Sequence, residues 1–223
     1  MAFEAVLFDL GGTLIKTADV PEIFRRILET FGIKASLGQI LEAHKANERK
    51  FNVEAGVAES GMAFWHNWNL TIVRSLGVRQ NARLLARRIS ELWWDYADLQ
   101  FYPDVLDTLA QLRLKQAKTG IVTNGLEEDY EKVLQKLGAT SSFDVTVGAD
   151  SCHTAKPDSK IFLHAIKKLL LKPEEVIFVG DSVERDYEGA KKAGLKPLLI
   201  DREGKALGDV DSVRSLTEVL RYF

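Results

Sequence analysis

The stretch Ala5-Val6-Leu7-Phe8-Asp9-Leu10-Gly11-Gly12-Thr13-Leu14 decides how the chain is read. Its first four residues form a continuous apolar run, and the residues from Asp9 to Thr13 are turn chemistry. An apolar run without polar alternation is what a strand buried on both faces requires. Three more runs share this character: Gly120-Ile121-Val122-Thr123, Val176-Ile177-Phe178-Val179 and Leu198-Leu199-Ile200. A weaker one is Val145-Thr146-Val147.

Helical patterns stand between these runs. Val105, Leu106, Leu109 and Leu112 recur at helical spacing. So do Ile161, Phe162, Ala165, Ile166, Leu169 and Leu170, with Asp158 near the start and Pro173 as a stop. Each places one apolar stripe on an amphipathic helix. A further helix is expected from about Glu184 to Ala193, ended by Gly194. Alternating strand and helix predicts an α/β fold, a doubly wound parallel sheet covered on both faces.

Residues 17–98 break the alternation. Val20, Ile23, Phe24, Ile27, Leu28 and Phe31 read as a helix that opens on a capping-box-like Asp19 and Glu22 and ends at Gly32. Trp65, Trp68, Ile72 and Leu76, then Leu85, Ile89, Leu92, Trp93 and Tyr96, continue the helical pattern. The expected organisation is an α/β core of residues 1–16 and 99–223 with an inserted all-helical segment of about four helices at 17–98. All four tryptophans fall in the insertion. They suit the core of a small bundle, or one or two of them line a ligand pocket. Asp201 to Asp211 reads as a loop, and Val213 to Tyr222 as a last helix.

Composition excludes several classes. The 223 residues are 46% hydrophobic and 28% charged, which suits a globular chain and neither a disordered nor a fibrous one. Thirty basic and 32 acidic residues give a net charge of -2, which predicts neither a nucleic-acid nor a membrane-surface partner. A lone Cys152 cannot form an internal disulfide or a cysteine-based zinc site. With no secretory signal and no long apolar run, a cytoplasmic location is expected.

In an open parallel sheet, ligands bind at the carboxyl ends of the strands. The residues that follow the strands are Asp9, Gly11, Gly12 and Thr13, then Thr123, Asn124 and Gly125, then Gly180, Asp181, Ser182 and Asp186, with Lys156-Pro157 ahead of a helix. Carboxylates at two strand ends suit a hard cation of the Mg²⁺ type. Thr123 and the amides of Asn124 and Gly125, leading toward a helix N-terminus, suit an anion. Lys156 adds a point charge for phosphate. Taken singly, each residue is more often a turn former, cap or ordinary helix or strand-end side chain than a functional one. Together they suit nucleophilic attack of a carboxylate on phosphorus.

In Phe8-Asp9-Leu10-Gly11-Gly12-Thr13-Leu14, Ile121-Val122-Thr123-Asn124-Gly125, Lys156-Pro157-Asp158 and Gly180-Asp181-Ser182 with Asp186 and Gly189-Ala190, the chain resembles the haloacid dehalogenase-like hydrolase superfamily. The likeness spans the whole chain, with the helical insertion where that family carries a cap that closes over the nucleophile. The resemblance implies that Asp9 is the nucleophile and a Mg²⁺ ligand together with the Gly11 carbonyl and Asp181, and that Asp186 completes the metal site by holding the ion's waters or its shell. It implies that Thr123 and Asn124 hold the phosphoryl group of a small phosphorylated substrate, and that Lys156 steadies Asp9 and the developing charge.

One departure concerns the chemistry. Phosphatases of that family carry a second aspartate two residues after the nucleophile, a position held here by Gly11. Its carbonyl remains for metal, but the acid that protonates the leaving group is gone. Four readings follow: a phosphatase with the acid supplied elsewhere (Glu54, His44 and His66 are candidates in the insertion), a phosphatase for good leaving groups, a 2-haloacid dehalogenase, or a phosphate-ligand-binding protein of low turnover. A phosphonate-cleaving enzyme using Lys45 or Lys50 is a related alternative. Retention of both Asp181 and Asp186 beside Asp9 favours a cation site over carbon–halogen chemistry, because three carboxylates without a cation would repel.

Overall fold

The computed structural model describes residues 3–205 and 210–223. In chain order the strands are β1 (Ala5–Phe8), β2 (Ile15–Lys16), β3 (Gln100–Phe101), β4 (Lys118–Val122), β5 (Val145–Val147), β6 (Val176–Gly180), β7 (Lys196–Ile200) and β8 (Ser212–Val213). The α-helices are α1 (Val20–Thr30), α2 (Leu37–Glu48), α3 (Val53–Ser60), α4 (Met62–Ser75), α5 (Ala82–Leu92), α6 (Val105–Leu114), α7 (Glu127–Lys136), α8 (Ser159–Leu169) and α9 (Gly189–Lys192). The chain forms two compact units, Met1–Lys16 with Gln100–Phe223, and Thr17–Leu99. The second junction lies one residue later than the sequence predicts.

The first unit is the expected α/β fold. Its six-stranded sheet has the order β5-β4-β1-β6-β7-β8, with every pairing parallel. The chain therefore winds outward from β1 in both directions, and the topological switch lies beside it. Every residue of β1 is fully buried, which is why its sequence shows no alternation. On α8, Ile161, Phe162, Ala165, Ile166 and Leu169 form the buried stripe, and Phe162 meets Phe178 of β6 edge-to-face at 4.9 Å.

Two expectations in this unit need correction. The helix expected over Glu184–Ala193 is a π-helical turn, Val183–Glu188, followed by the short α9. The wide turn closes with Tyr187 N–H donating to the Ser182 carbonyl at 3.1 Å. The last helix does not start at Val213, because Ser212–Val213 pairs with β7 as an edge strand. A 3₁₀ segment, Leu216–Tyr222, follows and is capped by Ser215. The loop expected from Asp201 to Asp211 lies partly outside the described residues.

A second, two-stranded ribbon joins the units in sequence. β2 and β3 pair antiparallel, with Ile15 opposite Phe101 and Lys16 opposite Gln100. Tyr102 N–H donates to the Leu14 carbonyl at 3.0 Å and extends the ribbon toward the sheet.

The helical unit holds five α-helices rather than about four, because Gly61 at φ +55° separates α3 from α4. Asp19 precedes α1 but makes no side-chain cap. Glu22 is held instead by Arg25 and Arg26, at 2.7 and 2.8 Å. The capping box of this unit is Ser36 with Gln39, at the start of α2. Trp68 is buried, with Phe51, Phe64, Trp65 and His44 rings around it at centroid distances of 5.8–6.1 Å. Trp93 meets Phe24 edge-on at 6.4 Å. Among the described residues, no helix is long and apolar enough to cross a membrane.

His44 is buried in this aromatic core, and its Nδ1 accepts the Trp68 indole N–H at 3.4 Å. Burial pushes its imidazole down to about 4 from 6.5. A lowered folded value means that the unfolded chain takes up the proton first. Stability is therefore unaffected above pH 6.5 and falls as the pH drops from there toward 4, by roughly 3 kcal/mol in total. Replacing His44 by Phe should remove this component. Thermal unfolding followed by circular dichroism should show the variant gaining on the wild type as the pH is lowered, and parallel curves would refute the assignment.

Candidate active site

The elements β1, β4 and β6 end side by side, so the residues that follow them share one edge of the sheet. Asp9 N–H donates to the Val179 carbonyl at 2.8 Å, and Thr123 N–H to the Val147 carbonyl at 3.0 Å, so each strand's ladder runs into its loop. The loop after β1 turns at Gly12, whose φ is +78°. A Cβ there would lie 2.3 Å from Asp181 Oδ2, so only glycine lets the two loops approach. Gly180 plays the same part opposite Asp186, whose Cγ would sit 2.3 Å from an added Cβ.

A cavity of about 210 Å³ opens at this edge, lined by Asp9, Gly11, Thr123, Asn124, Gly125, Lys156, Asp181, Arg185 and Asp186. The seven residues to which the family resemblance gives a role, Asp9, Gly11, Thr123, Asn124, Lys156, Asp181 and Asp186, are among them. A larger depression of about 590 Å³ is lined by residues of the helical unit alone, Glu29, Lys34, Ser36 and Gln39 among them.

Lys156 is the hub. Its Nζ donates to Asp9 Oδ1 at 2.5 Å and to Asp186 Oδ1 at 2.6 Å, and all three side chains are buried. The ring of Phe178 lies 5.4 Å away on the sheet side. Asp186 Oδ2 accepts the Ser182 N–H at 3.0 Å, a contact made by the π turn. Burial pushes the Asp9 carboxyl up to about 6; Lys156 opposes this, and the neighbouring Asp186 and Asp181 add to it. Burial and Asp186 likewise raise Asp181. Burial would lower Lys156, but the two carboxylates beside it hold its ammonium above the ordinary value.

The three carboxylates can present one oxygen each within 4.8 Å of one another. Opposite ligands of an octahedral Mg²⁺ ion stand about 4 Å apart. The donors are all oxygen, and three carboxylates outnumber the two cations of the cavity lining, Lys156 and Arg185, so negative charge is in excess. The donor set and its charge therefore fit a hard divalent cation.

The anion side differs in detail from the sequence reading. The Asn124 side chain is engaged with the main chain of Lys156: its Nδ2 donates to the Lys156 carbonyl at 3.0 Å, and its Oδ1 accepts the Lys156 N–H at 2.7 Å. Asn124 thus braces the residue that presents the ammonium, and its main-chain N–H is what it can offer a phosphoryl group. Gly125 N–H is engaged by Thr123 Oγ1 at 3.1 Å. That bond occupies a lone pair of the hydroxyl and leaves its hydrogen to point elsewhere. The first N–H of α7 is also taken, since Glu127 N–H donates to Asp150 Oδ1 at 2.9 Å.

Arg185, which no motif in the sequence marks, also lines the cavity, and its Nε donates to Ser182 Oγ at 3.4 Å. Its only sequence signal is its position directly before Asp186. The side chains considered as a replacement acid or imine former lie in the helical unit: His44 in the aromatic core, Glu54 in the first turn of α3, His66 on α4, Lys45 paired with Glu42 at 3.2 Å, and Lys50 over the Phe51 ring.

Comparison with known proteins agrees with this geometry. The haloacid dehalogenase-like hydrolase family matches residues 3–194. A glyceraldehyde 3-phosphate phosphatase from Methanopyrus kandleri is 33% identical over 204 residues, which cover 91% of this chain and 85% of that protein. A HAD phosphatase from Thermococcus onnurineus superposes with a TM-score of 0.67 at 26% identity, over 98% of this chain and 97% of that one. A 2-haloacid dehalogenase from Pseudomonas syringae superposes with a TM-score of 0.77 at 21% identity, over 99% and 97% of the two chains. The shared fold therefore accommodates two chemistries, and the residues at the strand ends must separate them. Sheet order, strand-end residues and sequence likeness converge: the chain belongs to the haloacid dehalogenase-like hydrolase family.

Proposed function

We propose that the protein is a Mg²⁺-dependent phosphatase that hydrolyses a small phosphorylated metabolite through a phosphorylated Asp9. The observation that carries this reading is the buried cluster at the switch point, where Lys156 bridges Asp9 and Asp186 at 2.5 and 2.6 Å while Asp181 stands within reach of both carboxylates. Three carboxylates around one ammonium suit a dianionic substrate only if a cation joins them. This favours phosphoryl transfer over the dehalogenase alternative; Lys45, paired with Glu42, and Lys50, over the Phe51 ring, give a phosphonate-cleaving imine no support, and turnover separates a phosphatase from a binding protein. The names of the relatives in M. kandleri and T. onnurineus support the same class.

Asp9, the Gly11 carbonyl, Asp181 and Asp186 would hold the Mg²⁺ ion, which when bound supplies charge neutralisation and orientation for the phosphoryl group. A carboxylate oxygen of Asp9 attacks phosphorus. The P–O ester bond breaks, and its electron pair leaves on the substrate oxygen, which is protonated by water because Gly11 offers no acid. The Thr123 hydroxyl and the Asn124 N–H donate to the phosphoryl oxygens. Lys156 keeps Asp9 ionised against its burial and offsets the charge that develops. Water then attacks the phosphorylated Asp9, releasing phosphate and restoring the carboxylate. Selection among substrates falls to the helical unit as a cap, and the reaction belongs to the cytoplasm.

Hydrolysis of p-nitrophenyl phosphate and of a panel of phosphorylated metabolites, with 2-haloacids alongside, tests the proposal. EDTA should bring phosphate release to background, and Mg²⁺ should restore it. Mg²⁺ should also raise the melting temperature of the chelated protein, since a ligand of the folded state alone stabilises it. An unchanged rate in EDTA, or turnover of haloacids only, would overturn the reading.

A further inference from the structure

Away from the cavity, Arg202 gathers segments that are far apart in sequence. Its Nη2 donates to the Thr13 carbonyl at 2.9 Å, and its Nη1 to Asp104 Oδ2 at 2.8 Å. Its guanidinium lies over the Tyr102 ring at 3.9 Å from the centroid. Both partners of the ion pair are largely buried, with side-chain exposures of 19% and 13%. The same Asp104 oxygen also accepts the Ser215 hydroxyl at 2.9 Å and the Leu216 N–H at 2.8 Å. Those two bonds tie the start of the C-terminal 3₁₀ segment to Asp104. The additional reach of Arg202 goes to Thr13 and Tyr102.

Those two residues stand at the foot of the β2–β3 ribbon, one on each leg. The first leg is also the continuation of the loop after Asp9. Gly12 N–H donates to the Ile15 carbonyl, and the N–H groups of Leu14 and Ile15 both donate to the Leu10 carbonyl, each at 2.9 Å. Gly11 forms a bridge with Ile15. The loop that carries Asp9 and Gly11 is thus hydrogen-bonded to the ribbon, and the ribbon is gripped at its root by one planar cation.

We infer that Arg202, seated on Asp104, is a positioning residue for hydrolysis. It holds the ribbon root still, and through the Thr13 carbonyl it holds the loop that presents Asp9 to the substrate. This rests on the reading of Asp9 as the nucleophile. A reacting atom displaced by a fraction of an ångström loses rate without losing affinity, so the role shows in kcat rather than in KM.

Arg202→Lys separates the positions. A lysine keeps a positive charge for Asp104, but one ammonium on a flexible stem cannot serve Asp104 and Thr13 together or lie flat on Tyr102. The expected result is a melting temperature close to wild type, a KM for p-nitrophenyl phosphate within about threefold, and a kcat lower by about tenfold or more. Hydrogen exchange followed by mass spectrometry should quicken in peptides covering residues 10–16 and 100–103 and stay unchanged in those covering β4 and β6. Arg202→Met, which lacks the charge, should lose more activity and also stability. A kcat within about twofold of wild type in Arg202→Lys, a loss confined to KM, or exchange that quickens evenly across the α/β unit would overturn the inference. If the wild type turns over neither p-nitrophenyl phosphate nor any phosphate ester of the panel, the proposed function falls, and the exchange pattern alone decides whether Arg202 holds the ribbon root.

Discussion

Replacing Asp9 by Asn should abolish phosphate release from p-nitrophenyl phosphate, lowering kcat by at least about 10⁴-fold, because an amide of the same shape has no anionic oxygen to attack phosphorus. The same change should leave the fold intact. Lys156 keeps Asp186 at 2.6 Å as a partner. Burial already disfavours ionised Asp9, raising its value from 3.8 to about 6. A raised folded value means that the native chain holds the proton more tightly than the unfolded one. In the absence of metal, ionised Asp9 therefore weakens the fold progressively as the pH rises from about 4 to 6, and the amide escapes that cost. In EDTA at pH 7.5 the variant should melt at or above the wild-type temperature. Activity retained in a folded Asp9→Asn protein would show that the bond-making oxygen belongs to another residue.

Gly11→Asp should have the second largest effect, in the opposite direction. A Cβ at Gly11 would meet nothing within 4 Å, and its backbone is outside the left-handed region. An aspartate there is therefore tolerated, in contrast to position 12. A positioned acid contributes about 10²–10⁴-fold, or about 3–5 kcal/mol, where the leaving group is an alkoxide. It contributes little for p-nitrophenolate, which leaves without a proton. The gain in kcat/KM should thus appear with alkyl phosphates, and stay within about threefold for p-nitrophenyl phosphate. Equal gains on both, or none on either, would show that the wild-type site already has its acid.

The parts of this protein legible in its sequence are those that local chemistry dictates. β1, β4, β6 and β7 are parallel strands buried on both faces, so their apolar runs announce them. Because each is followed directly by polar or glycine residues, Asp9, Thr123 and Asp181 could be placed on one edge before any distance was known. Illegible were the features made by partners distant in sequence. β2 and β3 are two residues each and show no periodicity, so the ribbon cannot be seen in advance. Asn124 reads as a phosphate ligand until its side chain is found on the main chain of Lys156, 32 residues later. Glu22 sits where a capping box would need it, yet Arg25 and Arg26 on the next turn outcompete the cap. The π turn of Val183–Glu188 looks like ordinary helix in the sequence, and its role in aiming Asp186 at Lys156 emerges only in three dimensions.

The antiparallel pairing of Lys16 with Gln100 has a consequence for protein engineering. Paired residues of neighbouring strands stand about 5 Å apart, a gap that a two-residue hairpin turn spans. Everything from Thr17 to Leu99 is therefore a cassette whose two splice points are already adjacent. Excision, or a graft from a homologue, requires closing a hairpin rather than rerouting the chain, and the α/β unit keeps its sheet and strand-end loops.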